Sequence, residues 1–402
     1  MSWEYVALGE LYEVHNGLSK GGKFFGKGSP FLSFSTVFNK WFLPQELLDL
    51  VQSTDSEQQS YSILRGDVFV TRTSETMDEL GMSSVALKDY PHATYNGFTK
   101  RLRPINPERI LPEFIGYYLR TAVFRAGFTA FSTMTTRASL RNEDLLSMKV
   151  PVPDMQTQKH IASILSAYDD LVESNQKQIK LLEEAAQRLY KEWFVDLRFP
   201  GHETTPIVDG IPQGWERMVL SEVTSVLKRG ISPKYSDNGK YSVINQKCIR
   251  SSIMDISESR RQEKEYVPTL NLQDSDTVIC STGTGTLGRV GRVYGDYPNK
   301  TFDSHVTLVR AKENPNYIYH VVKSQQEYLM GMGRGSTNQQ ELYRDVIERL
   351  VVLCPSQDIL LKADRVLNAI HCKIKAVYLQ NNLLVESRDR LLPKLMSGEL
   401  EV

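Results

Sequence analysis

The chain has 402 residues, 41% of them hydrophobic and 24% charged, which is enough to bury several cores of ordinary globular size. Lys+Arg and Asp+Glu balance at 48 each, and the balance holds in both halves of the chain. That excludes a protein that coats nucleic acid through bulk positive charge, so any such contact must come from local clusters. No apolar run approaches the ~20 residues that span a bilayer.

The opening Met1-Ser2-Trp3-Glu4-Tyr5 has neither a charged n-region nor an apolar h-region, and a cytoplasmic location is expected. Cys248, Cys280, Cys354 and Cys372 lie far apart, with no CxxC and no interleaved histidines. They read as buried free thiols of a reducing compartment. No metal and no cofactor is expected.

Residues 1–153 predict a first α/β module. Lys20, Lys23 and Lys27 share a glycine-rich loop, Lys20-Gly21-Gly22-Lys23-Phe24-Phe25-Gly26-Lys27-Gly28. Val68-Phe69-Val70-Thr71 follows the turn-like Gly66-Asp67 and reads as a strand, with Arg72, Thr73 and Ser74 just beyond it. Glu113–Phe124 has helical spacing, and Ser132 to Arg137 is a polar loop.

Residues 154–198 predict one long helix. Ile161, Tyr168, Asn175, Leu182 and Leu189 recur every seven residues, and Leu165, Val172, Ile179, Ala186 and Trp193 follow four later on the same face. With no Pro or Gly between Gln156 and Val195, the rod would reach ~60 Å at ~1.5 Å per residue.

Residues 199–355 predict a second α/β module. Lys228, Arg229 and Lys234 surround Gly230, and Val278-Ile279-Cys280 reads as a strand with Ser281 and Thr282 beyond it. Tyr317–Met330 has helical spacing, followed by a polar loop holding Arg334, Asn338, Gln339 and Gln340. Residues 356–402 predict the second long helix, with Ala363, Ile370, Val377, Leu384 and Leu391 beside Leu367 and Ile374. Pro393 is expected to stop it.

These elements are written twice. Gly17-Leu18-Ser19 matches Gly230-Ile231-Ser232. Asp89-Tyr90-Pro91 with Thr94-Tyr95-Asn96 matches Asp296-Tyr297-Pro298 with Thr301-Phe302-Asp303, and Pro112-Glu113-Phe114-Ile115 matches Pro315-Asn316-Tyr317-Ile318. Each match is short, but their common order establishes a duplication. Each copy is a globular module followed by a heptad helix, and each heptad stripe needs a partner helix. An antiparallel pairing relates the halves by a pseudo-two-fold axis. If Asn175 faces Asn381, paired residue numbers sum to 556, and Ile179 meets Val377; the alternative leaves both asparagines in water.

Pro151-Val152-Pro153, Gln156-Thr157-Gln158-Lys159-His160-Ile161-Ala162, Leu181-Leu182-Glu183-Glu184 and Leu189-Tyr190-Lys191-Glu192-Trp193-Phe194 resemble the central repeat of type I restriction-modification specificity subunits. Arg390-Leu391-Leu392-Pro393-Lys394-Leu395-Met396-Ser397-Gly398-Glu399-Leu400 resembles that family's ending. The resemblance implies two target-recognition domains separated by an antiparallel coiled coil. It implies a chain without catalysis of its own that reads an asymmetric, bipartite site on double-stranded DNA. Such a chain docks two methylation subunits, which bind S-adenosylmethionine, and through them motor-nuclease subunits.

Two motifs invite other readings. Gly283-Thr284-Gly285-Thr286-Leu287-Gly288 fits GxGxxG, but a phosphate cradle needs a helix next, and Arg289-Val290-Gly291-Arg292-Val293-Tyr294 reads as a strand. Asn314-Pro315-Asn316-Tyr317 is similar to the Asn-Pro-Pro-Tyr of adenine methyltransferases; the matching Leu111-Pro112-Glu113-Phe114 suggests instead a helix opened by proline. A stand-alone methyltransferase or nuclease would need a site that neither motif supplies. A coiled-coil adapter that never touches DNA is the other rival, and the neutral charge suits it.

For DNA contact the candidates are Lys20, Lys23, Lys27, Arg72, Thr73, Ser74 and Arg137 in the first module. In the second they are Lys228, Arg229, Lys234, Ser281, Thr282, Arg334, Asn338, Gln339 and Gln340. Arg suits a guanine edge and Asn or Gln an adenine edge, each bidentate pair contributing ~1–3 kcal/mol of discrimination; a solvated loop or surface salt bridge explains the same residues otherwise. For partner contact the candidates are Lys177, Lys180, Glu183, Arg188, Trp193 and Phe194 on the first long helix, with closure of the helix end as the other role for the two aromatics.

Overall fold

Val68–Thr71 and Thr277–Cys280, the two strands marked by their preceding turns, are wholly buried and central to matching sheets. The first lies between Thr99–Pro104 and Ser83–Val85, with Tyr12–Asn16 beyond Thr99–Pro104; the second lies between Val306–Ala311 and Val290–Arg292, with Thr224–Arg229 beyond Val306–Ala311. All these pairings are antiparallel. A smaller parallel pairing recurs too, Phe31 with Thr94 and Val243 with Thr301. The computed structural model describes residues 3–74, 80–131, 138–283, 285–335 and 340–402. They fall into two units, Met1–Glu173 with Asn382–Val402, and Ser174–Asn381.

The duplication reaches individual hydrogen bonds. Asp67, fully buried, receives Arg103 Nε on Oδ1 at 2.8 Å and Nη2 on Oδ2 at 2.6 Å. Asp276 receives Arg310 in the same fork at 2.7 Å twice. Each Oδ2 also accepts a backbone N–H at 2.8 Å, from Leu64 and from Gln273. A carboxylate taken out of water needs this full set of partners. The matched glycines have a physical reason as well. A Cβ on Gly17 would stand 2.1 Å from Asn96 O, and one on Gly230 would stand 2.2 Å from Phe302 O.

Both proline-opened helices are present, Pro112–Tyr118 and Pro315–Ser324. The long helices are Met155–Tyr190, continuing through a wider turn at Lys191–Val195, and Gln357–Ser397. Asp154 caps the first: its Oδ1 accepts from the Gln156 and Thr157 N–H groups at 3.0 Å, and its Oδ2 from Thr157 Oγ1 at 2.6 Å. Those donors, the Thr157 hydroxyl first, hold its carboxyl below the usual range.

In the second unit the asparagines meet as the register requires. Asn175 Nδ2 donates to Asn381 Oδ1 at 2.8 Å, with both side chains buried. Ile179 packs in one cluster with Val377 and Ile374, while Tyr190 and Phe194 share a cluster with Ile359 and Ala363. Rising numbers on one helix meet falling numbers on the other, so the pairing is antiparallel. In the first unit, Ile161 and Leu165 share a core with Leu392, Leu395 and Met396. Arg388 there pairs with Asp169 and lies 4.7 Å above the Trp41 ring.

Two expectations are corrected. Pro393 does not stop the second helix, which runs on to Ser397. An interior proline costs about 3 kcal/mol, but Leu392, Leu395 and Met396 are all buried around it and each contributes about 1.5–3 kcal/mol. The cysteines are free, but only Cys248 and Cys280 are buried; Cys354 is half-buried and Cys372 exposed. Burial pushes the Cys248 thiol up to about 11 and that of Cys280 to about 12. No helix among the described residues is long and apolar enough to cross a membrane.

Candidate nucleic-acid interface

In the first module, strand ends converge through backbone bonds. Gly17 N donates to Thr99 O at 3.2 Å, Arg72 N to Phe98 O at 3.0 Å, and Leu140 N to Arg72 O at 3.0 Å. Arg72 and Thr73 are half-buried at this end, where Thr73–Ser74 pairs with Ala138–Ser139. Lys100, which sequence reasoning missed, is buried beside Arg72 and donates to Asn142 Oδ1. Burial first, and then the neighbouring Arg72 charge, hold its amino group below the usual lysine range, with Asp144 opposing.

The glycine-rich loop divides. Lys20 turns inward to Glu57 at 2.7 Å and Gln52 O at 2.6 Å, serving the capping box that Thr54 and Glu57 form. Lys23 and Lys27 are exposed, Lys23 lying 5.1 Å above the Phe24 ring. The side chain of Ser74, and Arg137 altogether, lie outside the described residues.

In the second module, Arg229, Thr282, Arg334 and Glu341 come together. Arg229 pairs with Glu341 and donates to Ser304 O. Glu341 forms backbone bridges to both Thr282 and Arg334. Thr282 Oγ1 lies 2.5 Å from His305 Nδ1. Arg334 is exposed, 5.8 Å from the Tyr343 ring, and Gln340 is half-buried. Lys228 and Lys234 are exposed, Lys234 paired with Glu263. Ser281 requires correction: it is fully buried, its hydroxyl 2.5 Å from Thr307 Oγ1, so it has no surface to offer DNA. It extends the wholly buried strand Thr277–Cys280, and its backbone is held through His305 O and Leu342 N. Asn338 and Gln339 lie outside the described residues.

The described glycines of the GxGxxG stretch lie in a turn, Thr284 being outside the described residues. Gly283, Gly285 and Gly288 have positive φ, and Leu287 N and Gly288 N are spent on Gly283 O and Cys280 O. The strand Val290–Arg292 follows, so no helix dipole stands behind the loop. Among the described residues no cluster of three or more His, Cys, Asp or Glu could hold a metal ion.

Of the partner candidates, Phe194 is corrected: it is 2% exposed and packs edge-on to Tyr317 at 4.7 Å within the second module's core. Trp193 is half-buried against the same cluster. Lys177, Lys180 and Arg188 are exposed, with Lys180 3.9 Å from Glu184. Glu183 is half-buried, and desolvation raises its carboxyl to about 7 against the opposing charge of Lys323. A carboxyl with a raised folded pKa binds its proton more tightly in the folded state, so stability falls as pH rises from the ordinary carboxylate range to about 7. Glu183→Gln is therefore expected to raise the melting temperature at pH 8, by up to about 3 kcal/mol in stability, and to leave it nearly unchanged at pH 5. Thermal melts of both proteins at the two pH values check this.

Comparison with known proteins fits this geometry. The family model described as type I restriction modification DNA specificity domain matches residues 1–184 and 212–359. The chain is 28% identical over 337 residues to the type I restriction enzyme MjaIX specificity subunit of Methanocaldococcus jannaschii, covering 79% of this chain and 75% of that one. It is 22% identical over 373 residues to the HindI specificity subunit of Haemophilus influenzae, covering 73% and 79%. The crystal structure of the type I restriction-modification S subunit from M. genitalium superposes with a TM-score of 0.56 at 15% identity, covering 98% of this chain and 96% of that one.

Proposed function

Since the chain belongs to the type I restriction-modification DNA specificity family, we propose that its two modules read the two unlike halves of an interrupted, asymmetric DNA target. The chain is the DNA-recognition subunit of such a system and leaves the chemistry to its partners. Residues 1–153 and 199–355 serve as the recognition domains, with residues 154–198 and 356–402 as the paired helices. The carrying observation is one buried frame used twice beneath unlike surface residues. Asp67–Arg103 and Asp276–Arg310 hold equivalent sheets, while exposed Phe98 at the first sheet end corresponds to exposed His305 at the second. Equivalent scaffolds with different contacts suit half-sites of different sequence.

Exposed Lys23, Lys27, Lys228, Lys234 and Arg334 supply phosphate contacts, while Arg72, Thr73, Arg229, Thr282 and Gln340 border the base-reading surface. The helix face bearing Lys177, Lys180 and Arg188 receives methylation subunits, which bring S-adenosylmethionine, and motor-nuclease subunits join through them. A cytoplasmic site of action follows from that role.

The test is binding of the chain, assembled with its methylation subunits, to duplex DNA at rising salt. Neutralising about six phosphates predicts roughly a 10³-fold loss of affinity between 50 and 200 mM salt. The isolated chain should transfer no methyl group from labelled S-adenosylmethionine. Salt-insensitive or absent binding favours the adapter reading, and transfer by the chain alone makes it an enzyme.

A further inference from the structure

The same backbone turn is built at the reading end of each module, and each presents a different exposed tip. In the first, Asn96 Oδ1 accepts from Phe98 N at 2.7 Å, and Thr99 donates to Asn96 O through both N, at 3.0 Å, and Oγ1, at 2.7 Å. Phe98 O is tied to Arg72 N at 3.0 Å. In the second, Asp303 Oδ1 accepts from His305 N at 2.9 Å, Val306 N donates to Asp303 O at 3.0 Å, and His305 O is tied to Ser281 N at 2.8 Å. The positions correspond, since Asn96 to Asp303 and Phe98 to His305 both differ by 207 residues.

Neither tip is needed for packing. Phe98 is 55% exposed, an apolar ring turned to water from a backbone held at several points. His305 is exposed, with Nδ1 beside the Thr282 hydroxyl. A rigid backbone presenting a side chain outward loses little conformational entropy when that side chain meets a ligand. A basic residue borders each tip: the Arg72 backbone is tied to Phe98 O at the first, and Arg229, paired with Glu341, binds Ser304 O next to the second.

We propose that Phe98 and His305 are specificity-determining residues of the two modules, Phe98 selecting a thymine methyl in one half-site and His305 a purine N7 in the other. Phe has no donor or acceptor, and the thymine C5-methyl is the apolar feature of the major-groove edge. When the Thr282 hydroxyl donates to Nδ1, the imidazole carries a proton on Nε2 and presents a donor to the N7 acceptor. This rests on the chain being a DNA-recognition subunit.

The experiment is selection of bound duplexes from a random library by the complex with methylation subunits, comparing wild type with Phe98→Ala and His305→Ala. Phe98→Ala should lower preference for thymine at one position by about 5-fold or more and leave the other half-site unchanged. His305→Ala should relax a purine position in the opposite half-site only. A wild-type complex that selects no sequence defeats the DNA-recognition reading itself. A wild-type complex that selects a split target, with variants selecting it unchanged, overturns this inference alone. Should an alanine variant lose both half-sites by unfolding, Phe98→Ser and His305→Leu are read in the same way.

Discussion

Arg310→Met is expected to destabilise the second unit by about 3–5 kcal/mol at neutral pH, the cost of leaving a buried charge unpaired. Arg310 is the only side chain that forks onto Asp276 among the described residues, and Asp276 is 1% exposed. The same guanidinium donates to Thr269 O at 3.0 Å and to Asn271 O at 2.8 Å, so two carbonyls also lose a donor. Burial already holds the Asp276 carboxyl above its ordinary range, and Arg310 is what pulls it back. Without that cation the folded pKa rises further. A raised folded pKa means stability is lost as pH climbs through the carboxylate range toward it. The deficit against wild type should therefore be smallest near pH 4 and largest near pH 7. Urea unfolding at both pH values measures it, and a deficit below 1 kcal/mol at pH 7 would show that the ion pair does not hold the sheet. Arg103→Met should act alike in the first unit.

Phe194→Ala is expected to cost about 3–5 kcal/mol of second-unit stability, as deletion of a buried aromatic does. The ring lies 5.6 Å from Tyr190, 6.0 Å from Trp215 and 4.7 Å from Tyr317. Removing it opens a hole where the long helix meets the second module, both within one unit. Any loss of methylation-subunit binding should then track the loss of fold. A well-folded Phe194→Ala protein with an unchanged melting temperature, unable to bind those subunits, would return Phe194 to the partner surface.

These two residues mark where sequence reasoning reaches and where it stops. Seven-residue spacing offered Asn175 and Asn381 either one shared seam or a flank in water, and the structure takes the seam, where a buried Asn pair tolerates a single register. Gly17 and Gly230 were visible as matched punctuation, although the approaching carbonyls that require them are distant in sequence. Arg103 and Arg310 were passed over, since a charged residue in a strand reads as surface until its carboxylate partner is known. Pro393 was judged by backbone rules alone, whereas the burial of Leu392 and Leu395 depends on residues far away in the chain.

At the reading surface, composition identified loops but not directions. Ser281 and Thr282 are neighbours, yet one is sealed in the core and the other faces His305. Phe98 was missed because an apolar residue after a strand normally packs inward. Lys20 sits among flexible glycines but is held by Glu57.

The central claim is that one chain carries two unlike readers of DNA. Selection from a random duplex library by the wild-type chain with its methylation subunits tests it most directly. The recovered sequences should contain two short, different blocks separated by a gap of constant length in which every base is tolerated. A single block, or two identical blocks, would contradict it.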